Sequence, residues 1–183
     1  MRVLRPGVSA GIALLLACAP AGQDDANVAR GRGLKPALLP AAAEAGIYEA
    51  AARATFDASS ALVLRLHPQR LARTAGWTGG DSTPASLVDA LRARGVIAGT
   101  CSPERDAPRN TPRCQAGDVG YLIRGSEVLR GAGDTVQFYL AAESYGPATG
   151  PRPQALRLEK VYQLVGAGDQ WRVVREARAR TVE

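Results

Sequence analysis

One histidine, His67, is the first residue to consider for proton transfer near neutral pH. It stands directly before Pro68, where an apolar run ends, so it belongs to a strand-end turn. A histidine acting as base needs a nucleophile to activate and a group to orient it. The chain offers no Gly-x-Ser-x-Gly, no Ser-x-x-Lys and no His-Glu-x-x-His. A turn histidine is therefore the plainer reading. The second candidate is a carboxylate pair, Glu143 and Glu159, placed by strand alternation on one polar sheet face with Tyr139, Arg157 and Arg172. A buried pair of this kind could split its pKa values and serve acid–base chemistry. Charges alternating in sign across exposed strands need no such role, so a solvated charge ladder is expected. Trp77, in Gly-Trp-Thr-Gly-Gly, is the third. A glycine-flanked aromatic loop suits a contact surface, while the area of an indole suits a plug in the core. Asp81 beside Ser82 reads as loop and helix-cap chemistry. His67, Trp77 and Glu143 are the ligand-binding candidates, and no residue is assigned a catalytic or metal-binding role. No cofactor is expected.

The formal net charge is +6, carried almost wholly by arginine, and part of it lies at Arg2 and Arg5. The remaining arginines are dispersed, with local groups at Arg92/Arg94 and Arg175/Arg178/Arg180. Nucleic-acid binding calls for a concentrated basic face interleaved with aromatics, which this scatter does not supply. No nucleic-acid partner is expected.

Arg2 and Arg5 precede a short apolar stretch over residues 8–17, the order of a charged region and a hydrophobic region in an export signal. A spanning helix needs about 20 apolar residues. Pro6 and Pro20 bracket fewer, so an uncleaved transmembrane anchor is not expected. The stretch closes on Leu15-Leu16-Ala17-Cys18, which resembles the lipobox of bacterial lipoproteins. Leu15 and Ala17 fit that pattern, and Leu16 is larger than the residue commonest there. The resemblance implies a signal peptide over residues 1–17 and a diacylglyceryl group, then palmitate, on Cys18. With Ala19 rather than Asp after the cysteine, it also implies delivery to the outer membrane, facing the periplasm. The alternative is plain secretion, with cleavage after Ala19-Pro20-Ala21. Each buried methylene contributes about 0.8 kcal/mol, so several acyl chains make a lasting anchor. Residues 18–40 are rich in Gly, Pro, Ala and charge without a regular period, and are expected to form a flexible tether.

Acylation of Cys18 leaves Cys101 and Cys114 as an even pair. In an oxidising compartment such a pair normally forms a disulfide. The intervening residues hold Pro103, Pro108 and Pro112 and no apolar run, which reads as a surface loop. A redox pair would favour Cys-x-x-Cys at a helix start. Zinc would need three or four ligands. A structural bridge is the expectation.

One α+β domain is expected over residues 41–183. An Ala-rich amphipathic helix spans 40–58, with Ile47, Ala50, Ala51, Ala54 and Ala58 on one side and Glu44, Glu49 and Arg53 on the other. A strand follows at 61–66. The second helix lies between Thr83, a candidate N-cap, with Pro84 at the first position, and Gly95 as its stop. Strands are expected at 119–124, 127–130, 135–145, 154–165 and 170–177, forming an antiparallel meander behind the helices. Val136, Phe138, Leu140 and Ala142 alternate with Gln137, Tyr139, Ala141 and Glu143, the pattern of a sheet with one buried face. Gly-Ala-Gly-Asp occurs at 131–134 and again at 166–169, each between strands, which favours hairpin turns over a phosphate loop.

The element order and the closing Gly-Asp-Gln-Trp-Arg-Val-Val strand resemble the cystatin-like or nuclear-transport-factor-like roll. That resemblance implies a bent sheet wrapped on helices, and it covers both pocketed enzymes and plain binding domains. Two functions follow as expectations. The first is an envelope lipoprotein whose non-catalytic domain binds an envelope protein or serves a structural role. The alternative is a pocketed roll that binds or transforms a small apolar ligand.

Overall fold

A computed structural model describes residues 34–66, 77, 82–101, 120–145 and 155–178. The fold is α+β: two helices and a mixed seven-stranded sheet. The elements run α1 (Ala41–Arg53), β1 (Ala61–Arg65), α2 (Ala85–Ala93), β2 (Gly99–Cys101), β3 (Gly120–Gly125), β4 (Leu129–Arg130), β5 (Thr135–Tyr145), β6 (Ala155–Ala167) and β7 (Gln170–Arg178). The sheet order is β2-β1-β3-β5-β6-β7, with β4 also pairing to β5.

The expected antiparallel meander accounts for β3 and β5–β7. The correction lies at the other side, where β1 pairs in parallel with both β2 and β3. A parallel neighbour needs a crossover, and α2 supplies it between β1 and β2. The second helix is thus inside the sheet's connectivity rather than ahead of it.

α2 ends as its sequence dictates. Gly95 takes φ 67°, its N–H donates to the Arg92 carbonyl, and the Val96 N–H donates to the Leu91 carbonyl at 2.9 Å. This double closure is the Schellman motif, whose left-handed position favours glycine. At its start Pro84 occupies the cap position without a side-chain cap, so Thr83 does not cap the helix as expected. α1 stops at Arg53, short of the expected residue 58. Past it, the Thr55 hydroxyl donates back to the Ala51 carbonyl at 2.8 Å and bonds the Tyr162 hydroxyl.

Both helices cover one face of the sheet. The core joins Ile47, Tyr48 and Ala51 of α1, Leu87, Val88 and Leu91 of α2, and Leu62, Leu64, Ile123, Phe138, Leu140, Tyr162 and Leu164 of the strands. Tyr48 and Phe138 meet with ring centres 4.6 Å apart. The second glycine of each Gly-Ala-Gly-Asp, Gly133 and Gly168, has φ 62° and 59°, the conformation the two hairpins require.

The last residues of the stretch expected as tether pack onto the domain. The Arg130 N–H donates to the Lys35 carbonyl, and the Ala37 N–H to the Val128 carbonyl, both at 2.8 Å. Pro36 bridges Leu129. Among the described residues no helix is long and apolar enough to cross a membrane.

Candidate functional site

The sheet face turned away from the helices is where the sequence places its polar candidates. Strand registers put Leu122 and Arg124 of β3, Gln137, Tyr139, Ala141 and Glu143 of β5, and Arg157, Glu159, Val161 and Gln163 of β6 on this outer face. Alternation predicted a polar surface here. Its middle is apolar and covered instead: Tyr139, Ala141, Val161 and Leu129 are all buried. Trp77 closes over them, fully buried and stacked on Tyr139 with ring centres 6.0 Å apart and planes at 23°. Leu34 and Ala177 pack at the margin of this second cluster. Trp77 is neither an exposed contact nor a plug between helix and sheet. It plugs the opposite face.

Two ion pairs stand on this face among the described residues. Arg124, 8% exposed, donates from Nη2 to Glu143 Oε1 at 2.9 Å. Arg157 Nη2 lies 2.6 Å from Glu159 Oε1. The register sets Glu143 opposite Arg157 and Ala141 opposite Glu159, so the two carboxylates stand on neighbouring strands with an arginine against each. Like charges kept apart by arginines form a cross-strand ladder. This differs from a proton-sharing dyad, which needs the two carboxyls in mutual contact. Among the described residues two buried polar atoms on this side, Arg65 Nε and Gln137 Oε1, have no partner.

Ser126 is a residue that sequence reasoning missed. It lies between β3 and β4, both of which pair with β5. Its hydroxyl accepts the Tyr139 N–H at 3.1 Å, and its own N–H donates to the Tyr139 carbonyl at 2.9 Å. A side chain thus stands in where the ladder breaks, and only the short spacing of the two strands hinted at it.

Perturbed acidities fall on the helix side. Burial, followed by the nearby Glu127 carboxylate, raises the pKa of Glu44 in the first turn of α1. Burial likewise raises Tyr48, with the charge of Glu44 adding to it. Tyr162 is pushed up to about 12 by burial, partly offset by its bond to Thr55. Neutral phenols in a core are packing groups that keep their proton, not acids poised near neutral pH. Arg94 joins Glu49 of α1, at 2.6 Å, to Asp169 in the β6–β7 turn. Its pKa is raised chiefly by the Glu49 hydrogen bond.

Of the other sequence candidates, His67, Cys18 and Cys114 lie outside the described residues. Cys101 ends β2, buried, in register with Arg65. Among the described residues no cluster of three His, Cys, Asp or Glu side chains could hold a metal ion. No protein-family model, no curated protein and no solved structure matches the chain.

Proposed function

We propose that the chain is a lipoprotein of a bacterial cell envelope, anchored through acylated Cys18 and facing the periplasm from the outer membrane. Its α+β domain binds another envelope protein or serves a structural role, without catalysing a reaction. The observation that carries the address is the Leu15-Leu16-Ala17-Cys18 lipobox at the end of the hydrophobic stretch. In this reading the tether expected over residues 18–40 links the lipid to the domain.

One feature supports binding or a structural role over chemistry: Glu143, the best carboxylate candidate, is held by Arg124. The same reading pairs Cys101 with Cys114 in a disulfide that closes the proline-rich loop between them, as an oxidising compartment favours.

The experiment is metabolic labelling of the expressed full-length chain with radioactive palmitate. The parent is expected to take the label and to partition with membranes, and Cys18→Ser to lose both. Equal labelling of the two proteins would overturn the proposal.

A further inference from the structure

We draw no further inference here: the strongest candidate, the partly buried Arg65 guanidinium at the end of β1 on the outer face of the sheet, carries nothing, because residues 67–76 and 102–119, which follow β1 and β2 in the chain, lie outside the described residues and nothing in the structure shows what covers it.

Discussion

Gly46 of α1 lies so close to Asp169 of the β6–β7 turn that a β-carbon on it would overlap the Asp169 carbonyl oxygen. The helix therefore rests directly on a hairpin more than 120 residues away in sequence, and backbone meets backbone. Alanine is the better helix former by about 1 kcal/mol. Gly46→Ala is nevertheless expected to destabilise the fold by about 1–3 kcal/mol, because the carbonyl is fixed and cannot yield. Urea unfolding followed by far-ultraviolet circular dichroism measures it. A gain in stability would show that the helix does not sit on the turn.

The same turn carries a pH-dependent tie. The Asp169 carboxyl is held below the ordinary aspartate value, first by the Gln170 side-chain hydrogen bond, with Arg94 adding its charge. A lowered acid stabilises the fold above its unfolded pKa and loses that contribution as pH falls through the folded value. Glu44 works in the opposite sense, since its raised pKa favours the protonated form in the fold. Its contribution is present below the unfolded value and is lost as pH rises through the folded one. Asp169→Asn is thus expected to lower stability at pH 7 and to flatten the decline in acid. Glu44→Gln is expected to raise stability at pH 7. Thermal midpoints between pH 3 and 7 would show both slopes, and a parallel shift of the whole curve in either variant would contradict its assignment.

Where the sequence was legible, one local signal decided the structure. The strand at 135–145 has the predicted bounds because Val136, Phe138, Leu140 and Ala142 alternate without interruption. Gly95 and the two Gly-Ala-Gly-Asp turns were readable because positive φ selects glycine. What escaped was non-local. Nothing near Gly46 or Ser126 in sequence announces the Asp169 carbonyl or the Tyr139 N–H as a partner. The parallel pairing of β1 depends on Leu62 and Leu64 meeting Tyr121 and Ile123 across a long excursion. The outer face misled for the same reason. Tyr139, Ala141 and Val161 look like the weak side of an alternation until Trp77 arrives to bury them.

That burial makes Trp77 a stability residue. Removing a fully buried tryptophan in Trp77→Ala should cost about 3–5 kcal/mol. Trp77→Phe should recover much of this by keeping a ring against Tyr139. Trp171 is partly exposed, so its signal is removed by working in Trp171→Phe. In that background Trp77 emission should be blue-shifted and resistant to iodide until the chain unfolds. Emission that iodide quenches in the native state would place the indole at the surface and restore the contact reading.

The proposed bridge from Cys101 to Cys114 gives the last prediction. Cys101 sits at the end of β2, and its carbonyl accepts the Leu66 N–H at 2.8 Å, so the edge of the sheet depends on this residue staying in place. A closed loop of about 15 residues limits the unfolded chain and stabilises the fold by about 3 kcal/mol in the chain-entropy model. Reduction, or the double change Cys101→Ser and Cys114→Ser, should lower the unfolding free energy by roughly that amount. β2 should fray first, read as faster amide exchange at Cys101 and Leu66 than at Leu122. Alkylation of denatured but unreduced protein should leave both cysteines unlabelled. Two labelled thiols in protein purified from the envelope would break the pairing, and with it the oxidising compartment on which the pairing rests.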